Sequence, residues 1–183
     1  MPATPKIEMV ARKYREAFGA TARPAFAAWL EAGSGIVTGA ALGYRRAGEE
    51  PLFLEAYLDR PIEELAGEVL DRPVERSAIV EIGNFAADNA IAMIELWGHA
   101  ANDLGGGGEV AVATLTAPLR RMFMRIGLPF KLIAPADPGR IDNGASEWGS
   151  YYATDPWVCA GVIADGQAAI AAFLSRRQRK AAA

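Results

Sequence analysis

The chain has 183 residues, 51% of them hydrophobic, and a formal net charge of −3 at pH 7. This length and composition predict one soluble globular domain over residues 1–183, with enough apolar side chains for a substantial core. The small negative charge argues against a general nucleic-acid binder, and no uncharged run approaches the roughly 18 residues of a membrane span. We therefore expect a cytoplasmic protein without a transmembrane segment.

Apolar residues at helical and then strand-like spacing predict a helix and a hairpin in the first quarter of the chain. The predicted elements are Ile7–Phe18, Phe26–Glu31 and Ile36–Arg46. Gly33-Ser34-Gly35 is predicted to form the hairpin turn. Tyr44 and Arg45 lie at the end of the second strand, where polar groups leave the core and could meet a ligand; a solvated strand end is the alternative for Arg45.

The segment Phe53–Asp59 mixes aromatic residues with carboxylates and precedes Pro61, a residue favoured in the first turn of a helix. Glu55 and Asp59 are spaced for one face of a helical turn. That spacing suits a pair of carboxylates for acid/base work, and it equally suits two surface charges.

A buried strand with a carboxylate in its middle follows. The β-branched residues of Ile79–Ile82 predict the strand, and Glu81 lies within it. Asp88 or Asn89 can cap the helix that comes next. Because a helix N-terminus offers free N–H groups and partial positive charge, this junction could receive an anion, and we expect the chemistry here.

Further strands and helices alternate along the rest of the chain. The predicted elements are a helix over Ala90–Leu104, a strand over Val110–Leu115, a helix between Thr116 and Gly127, a strand over Lys131–Ala134, a loop over Ala136–Ser146, a strand over Trp157–Ile163, and a C-terminal helix with a basic tail from about residue 166. This order predicts an α/β domain around a mixed sheet.

Cys159 is the only cysteine and His99 the only histidine. An intrachain disulfide is therefore excluded, and a Cys/His metal site is disfavoured, so we expect no metal. His99 falls in a helical pattern and Cys159 in an apolar strand. This placement favours two separate packing residues over a Cys–His nucleophilic pair.

Five segments resemble, in the same order, motifs of the thermostable hemolysin family of bacterial proteins: Tyr44-Arg45, Phe53–Leu58, Pro61–Glu63, Ile79–Ala86 and Trp148–Tyr152. The resemblance covers nearly the whole chain. It implies a branch of the acyl-CoA N-acyltransferase (GNAT) fold related to acyl-homoserine-lactone autoinducer synthases, with a mixed central sheet flanked by helices. In that fold the pantetheine arm of an acyl donor lies between two splayed parallel strands, which here would be Ile79–Phe85 and Val110–Leu115.

The resemblance further implies an N-acyltransferase that moves an acyl group from an acyl-CoA or acyl carrier protein thioester to a small amine. The expected catalytic residues are Glu81 as the base, Asn84 as an orienting group, and Tyr152, or its neighbour Tyr151, as the acid. The expected donor contacts are Phe85, Ala86, Ala87 and Thr114. The expected substrate pocket comprises Tyr44, Arg45, Glu55, Tyr57, Trp148, Ser150 and Tyr151.

The loop after the predicted strand Ile79–Phe85 departs from the GNAT pattern, since Ala86–Ala90 has neither glycine nor a cation and Asp88 would repel a diphosphate. Three possibilities stay open: weak coenzyme A binding, an acyl carrier protein as the donor, or loss of donor binding. Arg120, Arg121 and Arg125 could attract the acidic face of a carrier. The alternatives to an enzyme are a non-catalytic GNAT-like binding module and a membrane-active protein of the hemolysin type.

Overall fold

The computed structural model describes residues 5–23, 26–34, 37–106, 108–141 and 145–182. Its helices are α1 (Pro5–Phe18), α2 (Ile62–Leu70), α3 (Ala90–Gly105), α4 (Ala117–Ile126) and α5 (Ile163–Ala181). Its strands are β1 (Ala28–Ser34), β2 (Val37–Arg46), β3 (Ile79–Ala87), β4 (Val110–Leu115), β5 (Lys131–Pro135) and β6 (Trp157–Val162). Short 3₁₀ turns include Phe53–Tyr57, Arg76–Ala78, Ala145–Trp148 and Tyr151–Thr154. None of the described helices is long and apolar enough to cross a membrane.

The six strands form one mixed sheet in the order β1-β2-β3-β4-β6-β5. β3 and β4 are parallel, because α3 supplies the crossover between them, and the other neighbouring strands are antiparallel. The predicted α/β class and the predicted order of helices and strands are therefore confirmed.

Both faces of the sheet are covered. On one face α3, α4 and α5 bury the largest apolar cluster, in which the ring of Trp97 lies 4.8 Å from that of Phe85 and 5.0 Å from that of Phe123. On the other face α2 and the 3₁₀ turn Phe53–Tyr57 cover Ile79, Val110 and Val112. α1 packs on β2 and β3 through a smaller cluster around Val10.

Several predicted boundaries are wrong. Gly33 and Ser34 do not form the hairpin turn but continue β1, pairing with Thr38 and Val37; Gly35 and Ile36 lie outside the described residues. β1 begins at Ala28 rather than Phe26, whose ring has another role described below. The C-terminal helix begins at Ile163 rather than near residue 166, because the pairing of β6 with β4 ends at Val162.

The predicted caps are largely confirmed. Asn89, rather than Asp88, caps α3, and its side-chain oxygen accepts hydrogen bonds of 3.0 Å from the backbone N–H groups of Ile91 and Ala92. α4 ends at Gly127, whose φ of +81° suits a residue without a side chain. The predicted loop over 136–146 runs through a 3₁₀ turn at Pro138–Arg140, and its residues 142–144 lie outside the described part.

The segment 145–154 is attached to the C-terminal end of α1. Thr21 donates a backbone hydrogen bond of 2.7 Å to Glu147, and Ser150 donates one of 2.8 Å to the carbonyl oxygen of Phe18. Gly149, between these contacts, has a φ of +55°, and a Cβ atom there would lie 2.0 Å from the Phe18 oxygen. Only glycine fits, because any side chain would push the segment away from α1.

Substitution Gly149→Ala should therefore lower the free energy of unfolding by about 2–4 kcal/mol, since it combines an unfavourable φ with a backbone clash. Urea denaturation measures the change. Gly166→Ala in α5 is the matched control, because nothing lies within 4 Å of the added methyl group. It should raise stability by about 0.5–1 kcal/mol. A Gly149→Ala protein as stable as the wild type would contradict the attachment.

Candidate active site

The parallel strands β3 and β4 separate part of the way along their length. They pair at Ile79 with Val110, Val80 with Ala111, and Glu81 with Val112, and no further pair forms between them in the described chain. β3 nevertheless continues to Ala87 and β4 to Leu115. The expected splay is therefore present, and it leaves backbone N–H and C=O groups of both strands facing each other across a gap.

A local irregularity in β3 accompanies the separation. The register of β2 with β3 shifts between Ala41 and Gly43, and Asn84 has a φ of +50°. Asparagine tolerates this left-handed conformation better than most residues with a side chain. Such a bulge increases the local twist and redirects a strand, which turns the end of β3 away from β4.

Glu81 lies at the fork, buried with 3% of its surface exposed. Its carboxylate accepts hydrogen bonds from the backbone N–H groups of Phe53, at 2.8 Å, and Leu54, at 3.0 Å. The guanidinium Nε of Arg45 lies 3.4 Å from the same carboxylate. Burial raises the pKa of Glu81 to about 7, while the Phe53 hydrogen bond and the Arg45 charge act in the opposite direction.

Arg76 fixes the 3₁₀ turn that supplies those two N–H groups. Its guanidinium donates to both carboxylate oxygens of Glu55, at 2.6 and 2.9 Å, and to Glu63 at 3.0 Å. Glu55 also accepts a hydrogen bond from the N–H of Leu52. The Arg76 hydrogen bond holds the pKa of Glu55 below its ordinary value, so Glu55 stays ionised and structural.

Glu55 and Asp59 therefore do not act as a pair. Asp59 is exposed and forms an ion pair of 2.6 Å with Arg140, whereas Glu55 binds Arg76. The acid/base interpretation of their spacing is wrong for a physical reason. The chain from Phe53 forms only a short 3₁₀ turn that ends at Tyr57, so the two carboxylates are not one helical turn apart.

A cavity, here called the cleft, opens on the Glu81 face of the sheet. Eight of the predicted site residues line it: Arg45, Tyr57, Glu81, Asn84, Phe85, Thr114, Trp148 and Tyr151. A second cavity, the side groove, shares Phe85, Thr114 and Tyr151 with the cleft and adds the predicted donor contacts Ala86 and Ala87. The structure thus brings most of the predicted site residues together.

Four predicted site residues do not line either cavity. Tyr44 packs in the cluster under α3, because successive side chains of a strand point to opposite faces and Arg45 takes the cleft side. Glu55 is held by Arg76, and Ser150 donates hydrogen bonds to the Phe18 carbonyl. Tyr152 lies behind Tyr57, with 2.7 Å between the two hydroxyl oxygens.

Several residues of the cleft were not predicted from the sequence: Tyr14, Arg23, Phe26 and Phe53. Tyr14 stands on α1 four residues from Phe18, a spacing that also describes an ordinary core stripe. In the structure the Tyr14 ring lies 6.0 Å from that of Trp148 and 6.4 Å from that of Tyr151. Burial raises the pKa of Tyr14 and of Tyr151, so both phenols stay neutral.

Phe26 occupies a slot made by two facing glycines. Gly43 and Gly83 are directly opposite in the β2–β3 ladder. A Cβ atom at Gly43 would lie 2.5 Å, and one at Gly83 2.7 Å, from atoms of the Phe26 ring. Arg45 stacks on the other side of this ring, with its guanidinium carbon 4.6 Å from the ring centroid.

An apolar cavity lies on the opposite face of the sheet, under α3, α4 and α5. Its wall includes Ile82, Trp97, Phe123 and Cys159, and Ile82 also lines the cleft. The cleft and this apolar cavity therefore share Ile82, the residue that follows Glu81 in β3. Burial raises the pKa of Cys159 to about 12. The thiol is neutral and packed, as predicted, whereas His99 is exposed on α3 and is not the packing residue that the sequence predicted.

The loop after β3 carries less negative charge than its sequence suggests. Lys13 of α1 forms an ion pair of 3.0 Å with Asp88, and Lys13 also lines the side groove. The expectation of an uncompensated Asp88 is therefore wrong, because the cation comes from a distant segment. The backbone donors of Ile91 and Ala92, however, are occupied by Asn89 and do not face a ligand.

A mixed α/β sheet that forks between two parallel strands, with helices on both faces, defines a GNAT-like fold. The family model described as "Thermostable hemolysin" matches residues 4–167. The chain therefore belongs to the thermostable hemolysin family.

Two solved structures have a similar fold. TofI in an apo form has a TM-score of 0.59 at 16% identity, with coverage of 93% of this chain and 90% of TofI. FeeM, an N-acyl amino acid synthase from uncultured soil microbes, has a TM-score of 0.55 at 13% identity, with coverage of 88% of this chain and 90% of FeeM. At these identities the likeness concerns the fold. No curated protein sequence matches the chain.

The raised pKa of Glu81 makes a prediction about stability. A carboxyl group whose pKa is higher in the folded than in the unfolded state favours folding when protonated, and that contribution is lost as the pH rises through the folded-state value. Between an ordinary value of 4.5 and about 7, the shift corresponds to roughly 3 kcal/mol. The difference in unfolding free energy between the wild type and Glu81→Gln isolates this contribution. From pH 4.5 to 8, the wild-type value minus the variant value should fall by up to roughly 3 kcal/mol.

Guanidinium denaturation of both proteins at a series of pH values measures this difference. Glu81→Gln should itself be less stable, because one face of its amide is an N–H₂ group that meets the N–H donors of Phe53 and Leu54. A difference that does not change with pH would show that the Glu81 pKa is ordinary.

Proposed function

We propose that the protein is an N-acyltransferase, which moves an acyl group from a pantetheine thioester to a small amine. The observation that carries the proposal is the position of Glu81, a buried carboxylate with a pKa near 7, at the fork of β3 and β4. A general base works best when its pKa lies near the working pH. The fold shared with FeeM, an N-acyl amino acid synthase, adds support for acyl transfer to an amine.

The gap beyond Glu81 suits the pantetheine arm. Its amide groups can bond to the unpaired backbone of β3 and β4 as an added strand would. The acyl chain can then extend past Ile82 toward the apolar cavity, whose volume is about 60 Å³. A cavity of roughly 150 Å³ holds a benzene ring, so this one admits only a few methylene groups unless its walls move.

The reaction forms one C–N bond and breaks one C–S bond. The substrate ammonium first loses a proton to Glu81, directly or through water. The free amine attacks the thioester carbonyl carbon, and the C–S electron pair leaves on the sulfur. The second amine proton is lost from the tetrahedral intermediate, and the thiolate takes up one proton, so the products are an amide, a thiol and one released proton.

The polar groups around the fork have separable roles in this scheme. Asn84, held in its left-handed conformation at the cleft wall, orients the amine or the thioester oxygen. Burial raises the pKa of Tyr57, whose hydroxyl is hydrogen-bonded to Tyr152. A protonated Tyr57 hydroxyl can donate to the leaving sulfur, and Tyr152, the predicted acid, acts through it.

Acyl transfer should be detectable as thiol release from acyl thioesters in the presence of an amine panel. The rate should rise with pH and reach half of its maximum near pH 7, the pKa of the Glu81 carboxyl in the enzyme without substrate. Glu81→Gln should lower the rate by about 10²–10⁴-fold, because an amide cannot take a proton. The pH profile is decisive, since loss of a purely structural group would reduce the rate without changing its pH dependence.

Three results would contradict the proposal. Turnover that is unchanged in Glu81→Gln would show that Glu81 is not the base and has only a structural role. Binding of acyl thioesters without thiol release under any condition would show a non-catalytic binding module, which the three existing contacts of the Glu81 carboxylate would then explain. Release of dye from liposomes by the wild type would instead support the membrane-active alternative.

An acyl carrier protein is the better donor in this proposal. The Asn89 cap occupies the helix donors that a coenzyme A diphosphate would need, and Lys13 is engaged by Asp88. An acyl carrier protein presents one phosphate at the protein surface, so it needs fewer hydrogen-bond donors and cations from this loop. Exposed Met124 and Leu132, beside exposed Arg121 and Arg125, form a surface that fits an acidic, partly apolar helix.

Arg120 lines a groove with Met124 and Leu132, but its guanidinium is already engaged within the chain. Its guanidinium donates at 2.8 Å to the Leu115 carbonyl, and to both the carbonyl and the carboxylate of Asp155 at 2.6 Å. Arg121 and Arg125 form no ion pair with any carboxylate of the described residues. They are the cations of α4 that a carrier can reach.

Replacement of both Arg121 and Arg125 by glutamate should raise the KM for an acyl carrier protein thioester by about 10-fold or more. The KM for acyl-CoA should stay nearly unchanged. Steady-state rates with both donors, at two salt concentrations, measure the effect. Arg177→Glu, an exposed residue of α5, is the matched control. Tight acyl-CoA use without any carrier-dependent turnover would contradict this donor assignment.

A further inference from the structure

We infer that the acceptor is an α-amino acid with an aromatic side chain, whose carboxylate pairs with Arg23 while its amine faces Glu81. This inference rests on the proposed acyl transfer and names the class of amine. It follows from three properties of the cleft: the identity of its charged groups, the contacts that those groups already have, and the chemistry of its walls.

Among the residues that the structure describes, three charged side chains line the cleft: Glu81, Arg45 and Arg23. Arg45 is held by its ion pair with Glu81, by a hydrogen bond of 3.4 Å to the Pro51 carbonyl, and by its stacking on Phe26. Arg23 forms no ion pair or hydrogen bond with the residues that the structure describes. Arg23 is therefore the cation that a ligand in the cleft can engage.

The charge balance of the cleft favours a ligand with an anionic group. With Glu81 ionised, the two guanidinium groups leave an excess of one positive charge. A plain alkylamine enters as a cation and worsens this imbalance. A zwitterion can place its carboxylate at Arg23, where a guanidinium offers two parallel N–H donors, and its ammonium near Glu81, the group that must take its proton.

The walls of the cleft favour an aromatic side chain. The cleft has a volume of about 50 Å³, and a cavity of roughly 150 Å³ holds a benzene ring, so the ring enters only as these walls move apart. The ring of Trp148 lies 6.0 Å from Tyr14, 6.2 Å from Phe53 and 5.4 Å from Tyr151. Burial raises the pKa of Tyr14, Tyr57 and Tyr151, so the phenols remain neutral and add no charge to the walls. Aromatic rings pack against such surfaces edge-to-face or offset, with a specificity that an aliphatic chain does not have.

The two contacts also orient the reaction. With the carboxylate fixed at Arg23 and the ring among the aromatic walls, rotation of the amino acid is restricted, and its nitrogen is directed toward the fork. The same bonds change as in the general scheme: the α-nitrogen forms the C–N bond, the thiol leaves, and the carboxylate remains ionised throughout.

Matched acceptors test the inference. L-Phenylalanine and 2-phenylethylamine share a ring and an amine and differ in the carboxylate, whereas L-alanine keeps the carboxylate and lacks the ring. The wild type should prefer L-phenylalanine in kcat/KM over either analogue by about 10-fold or more. Arg23→Gln should abolish the preference over 2-phenylethylamine through a higher KM for L-phenylalanine, and Arg177→Gln should keep it.

Calorimetric titration of L-phenylalanine into the wild type and Arg23→Gln gives a readout that needs no turnover. Binding that depends on Arg23, without acyl transfer from any donor, would uphold the ligand class and contradict the proposed function. Equal transfer to L-phenylalanine and 2-phenylethylamine would overturn the inference and leave acyl transfer standing. L-Phenylalanine that neither binds nor reacts, or L-alanine used as well as L-phenylalanine, would also overturn it.

Discussion

The two hydrogen bonds from the backbone of Phe53 and Leu54 to the Glu81 carboxylate connect the 3₁₀ turn Phe53–Tyr57 to the fork between β3 and β4. They hold a 3₁₀ turn, which is otherwise fixed by Arg76, against the central strand at the point where the sheet opens. A buried carboxylate would cost several kcal/mol if it had no partners. Here the two backbone N–H groups that compensate its burial belong to the turn that brings Phe53 and Tyr57 to the cleft. The same hydrogen bonds therefore stabilise the charge of Glu81 and form one wall of the cleft.

The sequence predicts the order of helices and strands because it depends on local patterns. Apolar residues at a spacing of two or of three to four residues indicate strands and helices, and the helix between β3 and β4 is the crossover that a parallel pair needs. The importance of Glu81 is also visible, since a carboxylate inside a β-branched run needs partners. These features depend on neighbouring residues in the chain, and the structure confirms the fold that they predict.

The features that sequence patterns miss depend on contacts between distant segments. Lys13 neutralises Asp88 from 75 residues away, and Arg76 holds Glu55. The side of the strand on which Tyr44 lies is fixed by register, which a shift of one residue would reverse. The aromatic wall joins α1 to the segment after 145, and neither segment alone shows that its rings face a cavity. The spacing of apolar residues predicts that these rings are buried, but it does not predict which other segment they contact.

The slot for Phe26 makes three positions depend on each other. Gly43 and Gly83 have no side chains because a ring occupies the space above both, and that ring in turn supports the guanidinium of Arg45. Residues 26, 43 and 83 therefore depend on one another sterically. A methyl group gained on either strand would be compatible only with a smaller residue at 26, and the shape of the cleft would then change without any alteration in the groups that carry charge.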